Sequence, residues 1–423
     1  MSWNTRYRAK APRGLEALTE PAVQRRMAGT TPAVVVPVST GIGLGILRDL
    51  GRLGIPVIAL DHQPSSIGLA CRYALPSLCH DPRYDEEAFI EDLMRLGATL
   101  PQRAVLFPAY DDEVWALSRH AEHLERYYHV PLARWPVMQR LADKELQMKA
   151  AWDAGVDTPT TWFVHGPEDL ADAIDAVPFP ALFKPLRHQE MRRRFGVKVI
   201  NMAAPDDVPG AYEKASVCGP LMMQEVVPGD DTDFYTFGAY QDASSRALGV
   251  FVSRKVRQHP RNFGESRIAE SCWVDEVADD ALRLLHELSF HGVSGTEFKR
   301  DPRDGRLKLM EVNARHWLHH CLATAAGVNL SLIAYGDALG RPIEGGKQID
   351  GVRWLDFPRE TRDSLLELAR GELSVATFVS GLRTVRVDAV FSLDDPLPAL
   401  RELVNATTLQ VQRDLPKLLP GSR

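Results

Sequence analysis

The sequence predicts an α/β protein, and three stretches carry that prediction. From Pro32 onward, AVVVPV, STGIGLG, ILRDLGRLG and IPVIALD read in turn as a buried strand, a loop, a short helix and a second strand ending at Asp61. That unit is the start of an open α/β sheet. AVLFPAYDDE repeats the theme, with a strand over 104–107 and then a helix start. Residues 295–315, GTEFKRDPRDGRLKLMEVNAR, read as strands over 295–300 and 306–313, joined by a turn rich in Asp, Pro and Gly.

A chain of 423 residues has room for two or three domains, and 45% hydrophobic with 25% charged residues is an ordinary globular composition. The formal net charge of −6 gives no reason to expect nucleic acid or an anionic membrane as the main partner. Cys71, Cys79, Cys218, Cys272 and Cys321 form no CxxC pair, which argues against a disulfide framework and for a reducing, cytoplasmic setting. No apolar run reaches the length of a membrane span. Residues 1–30 carry Arg6, Arg8, Lys10, Arg13, Arg25 and Arg26 without an apolar segment, so they read as a mobile basic tail rather than a secretory signal.

The remaining elements follow in order. Asp111, Asp112 and Glu113 read as capping and dipole-favoured residues at a helix start. ADKELQMKAAWDAG is a helix closed by Gly155, with Leu141, Met148 and Trp152 as a core stripe. FPALFKPLRH is a strand running into Lys184, and residues 187–196 after it hold four arginines and a single glycine. In LMMQEVVPGDDTDFYTFGAY two strands flank a turn at Pro228 and Gly229, and GVFVSRKVRQ continues the sheet. VADDALRLLHELSFHG is an amphipathic helix leading into the 295–315 hairpin. A mixed helical stretch runs to about Gly340, and residues 345–423 look separate, with weak helix and strand signals.

The hairpin carries the chemistry. If Arg300 pairs with Arg306, Glu297 faces Leu309 and lies diagonal to Glu311, with Glu311 and Asn313 on the same face. Two carboxylates about 5 Å apart repel by roughly 3 kcal/mol at an effective dielectric of about 20. A site for hard cations has reason to accept that cost, and oxygen-only ligands suit Mg²⁺ beside nucleotide phosphates. A solvated hairpin with scattered charges is the alternative, and a one-residue register slip would destroy the geometry.

DKELQMKAAWDAGVDTP, FPALFKP, MMQEVVPGDD and GTEFKRD…KLMEVNAR, in that order, resemble the ATP-grasp superfamily, in its carboxylate–amine ligase branch with D-alanine–D-alanine ligase-like and D-aspartate ligase-like enzymes. The resemblance spans roughly residues 31–340. It implies a mobile tail over 1–30, an open α/β pre-ATP-grasp domain over 31–135, an ATP-grasp domain of two α+β halves over 136–344, and a small C-terminal extension over 345–423. It implies ATP and two Mg²⁺ ions, with Lys144 and Lys184 on the nucleotide phosphates. Asp143 as N-cap would put Lys144 at the first helical position, where a phosphate relieves an unfavourable cation. The backbone around Glu225 and Val227 would meet the adenine edge and Asp231 the ribose. Glu297, Glu311 and Asn313 would hold the metal, and Arg315 would lie near the γ-phosphate and the developing acyl phosphate. Lys255 and Arg267 would hold the acid substrate.

The implied activity is an ADP-forming ligation of a small carboxylate to an amine, with an amino acid or small peptide on at least one side and a homodimer by analogy. One departure is the stretch 187–196, where arginines stand in for the glycines that close over phosphates in many members. His316, His319 and His320 in HWLHH lie at helical spacing as a possible metal cluster or, better, as a lining of the substrate side. Two other classes stay open. One is an NAD(P)-dependent oxidoreductase resting on Gly41, Gly43, Gly45 and Asp61, although Ile46 stands where the third fingerprint glycine belongs. The other is a non-catalytic ATP-binding scaffold. No GxxxxGK[ST] loop is present to bind ATP in a different way.

Overall fold

The computed structural model describes residues 20–186, 190–260, 263–371, 373–381 and 385–418. Residues 1–19, most of the expected basic tail, lie outside the described residues, whereas Pro21–Gly29 is an α-helix.

Strands β1 (Ala33–Val36), β2 (Val57–Asp61), β3 (Ala74–Leu78), β4 (Ala104–Pro108) and β5 (Tyr128–His129) form a parallel sheet in the order β3-β2-β1-β4-β5. β1 is apolar at every position because helices cover both faces of the sheet. Its residues divide with period two: Ala33 and Val35 pack into one core with Leu44 and Leu47, Val34 and Val36 into another with Phe89 and Leu93. The order reverses between β1 and β4, so the crevice beyond their carboxyl ends is where an open α/β sheet receives ligands. Thr40 and Tyr110 stand there.

The segment expected to be a loop after β1 is helical from Gly41 to Gly51. Its glycines serve close packing. A Cβ on Gly43 would lie 2.3 Å from the Pro37 carbonyl oxygen, and one on Gly45 2.5 Å from His320 Nε2. Asp61 is fully buried, and its carboxylate accepts from Val38 N–H (2.8 Å) and Gln63 N–H (2.9 Å). Two of the glycines and Asp61 are thus engaged by the chain itself.

Strands β6 (Thr161–Val164), β7 (Ala181–Pro185), β8 (Ile200–Met202) and β9 (Leu221–Glu225) make an antiparallel sheet in the order β6-β9-β7-β8. Strands β10 (Phe234–Gln241), β11 (Ala247–His259), β12 (Glu265–Ser271), β13 (Gly292–Arg300), β14 (Leu307–Asn313), β15 (Arg353–Leu355) and β16 (Val385–Asp388) make the largest, in the order β14-β13-β10-β11-β12-β15-β16. The turn at Pro228 and Gly229 therefore crosses from one sheet to the other.

Three local expectations change. The stripe of Leu141, Met148 and Trp152 is divided between helices Trp135–Ala142 and Lys144–Asp153. Leu141 and Met148 are buried, but Trp152 is 44% exposed and donates its indole N–H to Thr158 Oγ1 (2.8 Å). In the hairpin, Arg300 pairs with Leu307, not Arg306. The residues after 345 are tied in at both ends. β15 and β16 extend the large sheet, and Asp395 accepts from Arg48 Nε at 3.0 Å on helix Gly41–Gly51.

Candidate active site

In the hairpin, Phe298 pairs with Leu309 while Glu297 pairs with Glu311, so Met310 is an extra residue in β14. Such a bulge restores parity after the one-residue shift in register. Glu297 and Glu311 are therefore directly opposed rather than diagonal, and Asn313, opposite Gly295, follows on the same face. The row extends across the sheet, because Thr236 pairs with both Glu297 and Ser253. The next row is Phe251, Gly238, Gly295 and Asn313. Trp317 lies on its two glycines, where a Cβ on Gly238 would be 1.9 Å from the indole ring.

Above this face is a cleft of about 370 Å³, walled by the small sheet and closed at one side by Thr40, Tyr110 and Asp111, which follow β1 and β4 of the parallel sheet. Lys144, Lys184, Glu225, Val227, Lys255, Glu297, Glu311, Asn313 and Arg315 all line it. Asp143 is the N-cap of helix Lys144–Asp153, accepting from Glu145 N–H at 3.0 Å, so Lys144 is its first residue. The Lys144 backbone N–H donates to Leu186 O (3.2 Å) just beyond β7. Its ammonium meets Glu311 Oε1 at 2.7 Å. Burial would raise the Glu311 carboxyl, but Lys144 and Lys184 overcome it and hold the group well below the usual carboxylate range. Burial pushes the Lys184 ammonium down to about 8, with Lys144 adding repulsion and Glu311 opposing it. A partly buried lysine in this state gains from an anion such as a phosphate.

On the other side, Lys255 Nζ meets Glu297 Oε2 at 3.0 Å. Lys255 and Lys299 each place the ammonium 4.7 Å from the Phe234 ring centroid. Lys299 Nζ donates to the carbonyls of Val227 (2.9 Å) and Gly229 (3.3 Å), fixing the segment that crosses between the sheets. The Glu225 carboxylate accepts from Thr160 N–H (2.8 Å) and Arg303 Nη2 (2.8 Å), which leaves its backbone at the cleft.

Two expected residues are not brought into the cleft. Asp231 accepts from Gln258 N–H (3.0 Å) and Gln258 Nε2 (2.9 Å), and only Gln258 reaches the lining. Arg267 is buried with its Nε 2.7 Å from Asp363 Oδ2, so the helix Phe357–Ala369 rather than a ligand holds it. Arg359, from that same helix, lines the cleft instead. With Arg192 and Lys198 it surrounds Glu265, whose carboxyl burial would raise but these cations bring down to about 2. Residues 187–189 of the arginine-rich stretch lie outside the described residues, and Glu190–Phe195 is a short helix.

The three histidines take separate partners: His316 Ser331 Oγ (3.1 Å), His319 Ser253 Oγ (3.1 Å) and His320 the Ile42 carbonyl (3.0 Å). Burial pushes His319 down to about 3 and His320 to about 4, so both are neutral near pH 7. Only His319 of the three lines the cleft. Among the described residues no group of three or more His, Cys, Asp or Glu side chains is placed to hold a metal ion. The set Glu297, Glu311 and Asn313 is different in kind, with two carboxylates and an amide oxygen, and its donors fit Mg²⁺.

The sequence reading missed Asp111, which takes Arg315 Nε on Oδ1 (2.6 Å) and Nη2 on Oδ2 (3.0 Å) rather than serving as a cap. It missed Lys299 although the signal was present, since Lys299 stands two residues from Glu297 on a strand. Nothing in the sequence pointed to Arg359.

No family model matches the chain. Its sequence is 22% identical over 311 residues to the D-aspartate ligase of Enterococcus faecium (strain Aus0004), covering 68% of this chain and 73% of that one. The fold is similar to N5-carboxyaminoimidazole synthetase from Staphylococcus aureus complexed with ADP, with a TM-score of 0.62 and 13% identity over 81% of this chain and 87% of that one. It is also similar to L-amino acid ligase from Bacillus licheniformis, with a TM-score of 0.56 and 16% identity over 74% and 75%. The chain has the ATP-grasp fold.

Proposed function

We propose that this protein is an ADP-forming ligase that joins a small carboxylate to an amine through an acyl phosphate. One observation carries the reading: Lys144, Lys184 and Arg315 line the same cleft as the opposed carboxylates of Glu297 and Glu311. Its similarity to a D-aspartate ligase and to an L-amino acid ligase supports an amino acid or small peptide on at least one side.

A carboxylate is a poor acyl donor at neutral pH. Its oxygen attacks the γ-phosphorus of ATP, the bond from that phosphorus to the β–γ bridging oxygen breaks, and ADP leaves. The amine nitrogen then attacks the acyl carbon, the carbon–phosphate oxygen bond breaks, phosphate leaves, and the amine's surplus proton passes to solvent. Lys144 and Lys184 hold phosphate oxygens, Lys299 holds the crossing segment for the adenine edge, and Arg315 faces the charge that develops at the transferring group. Glu297, Glu311 and Asn313 would hold Mg²⁺, which when bound neutralises charge on the phosphates.

Thermal unfolding with Mg-ATP, with ATP plus chelator, and with NAD(P)H tests this reading. At about one hundred times its dissociation constant, Mg-ATP should stabilise the fold by roughly 2.7 kcal/mol, and chelation should weaken the shift. Stabilisation by the dinucleotide alone would end the ligase reading.

A further inference from the structure

Arg315 leaves the last strand of the large sheet, yet what fixes its guanidinium comes from the first domain. Asp111, the first residue of helix Asp111–Arg119 beyond β4, holds Nε and Nη2 through both carboxylate oxygens at 2.6 and 3.0 Å. This is the bidentate geometry that a lysine could not reproduce. The Tyr110 ring lies beneath, 5.4 Å from the guanidinium carbon. Nη2 also reaches Asn313 Oδ1 (3.2 Å), and Nη1 donates to the His316 carbonyl (3.0 Å). Among the described residues, four of the five N–H groups of Arg315 thus have an acceptor, and one on Nη1 is left for a ligand. The side chain is only 11% exposed, so it has little room to find another pose.

We propose that Asp111 is a positioning residue for Arg315: it aims the remaining donor at the transferring phosphoryl group, and through it the first domain sets the rate of the chemical step. This rests on the ligase reading above. A mere staple between domains would look alike in the resting protein but not in its effect on binding. A staple supports every ligand of the cleft equally, whereas an aimed donor matters most where charge develops.

The experiment compares wild type, Asp111→Asn and Asp111→Glu for their affinity to Mg-ATP and to Mg-ADP with fluoroaluminate, a mimic of the transferring phosphoryl group. Asn keeps the shape of the side chain and removes the charge. In Asp111→Asn, Mg-ATP affinity should change by less than about threefold while the mimic weakens by at least about tenfold. Where an acid–amine pair has been found, kcat should fall by about 10- to 100-fold with little change in KM for ATP. Asp111→Glu should recover part of the loss. Equal weakening of both ligands, or no weakening of the mimic in a folded variant, would overturn the proposal. A wild type that binds neither ligand would remove the ligase reading itself, and this proposal with it.

Discussion

Two stretches of this chain carry the outward marks of a ligand site, the glycine-spaced segment after β1 and the hairpin of β13 and β14. The structure treats them in opposite ways. In the first, the room made by missing side chains is filled by Pro37, Val38 and His320, and the acidic residue at the end of β2 caps a loop. In the second, charged side chains that would repel in isolation are gathered around open space, each carboxylate balanced by a lysine. Glycines that make space for the chain itself are packing. Charges of both signs kept together along a cleft are what a polyanionic ligand and its cation would call for.

The largest effect that could break this contrast is at Glu311. Glu311→Ala removes one of the opposed carboxylates and the anion that Lys144 touches. ADP release should fall by at least about 10³-fold, with the far-ultraviolet circular dichroism unchanged. A folded variant that still turns over would show that the hairpin is only a solvated pair of strands.

The counterpart on the other stretch is Gly43→Ala. Its new methyl group would sit 2.3 Å from a backbone oxygen and 2.8 Å from Val38 Cα, neither of which can step aside as a side chain could. The expected cost is about 1–3 kcal/mol of stability, read as a lower Tm, with the affinity for Mg-ATP unaltered. A variant of normal Tm that binds NAD(P)H less tightly would reverse the assignment of the two stretches.

How much of this was legible in the sequence depended on the range of the interaction. Glu297, Glu311 and Asn313 could be put on one face because the period of a strand is two, and the bulge at Met310 preserved that face although the register itself was misjudged. The helix start at Lys144 followed from Asp143 as cap. The pairing of Asp111 with Arg315 joins positions 204 residues apart, and no local pattern reports it. β15 and β16 are too short to establish a period, so the C-terminal stretch that carries Arg359 gave only weak helix and strand signals and no readable chemistry. Arg267 and Arg359 are both arginines near acidic residues in sequence. Only the packing of helix Phe357–Ala369 on β12 decides that Asp363 takes the first and the cleft the second.

A smaller effect sharpens the contrast from within the site. Burial, aided by Lys144, brings the Lys184 ammonium down to about 8 from the usual lysine value, so in the ligand-free protein its charge is present below that pH and lost as pH rises through it. The protonated form is the one that can hold a phosphate. From one pH unit below to one above, the competent fraction falls about tenfold, and the affinity for Mg-ATP should fall with it. Calorimetric titration of Mg-ATP across that interval reads the change directly. In Lys184→Met the affinity should be lower throughout and nearly level over the same range, because no ammonium remains there to lose its proton. A slope that survives the substitution would assign the pH dependence to another group and separate Lys184 from the phosphates.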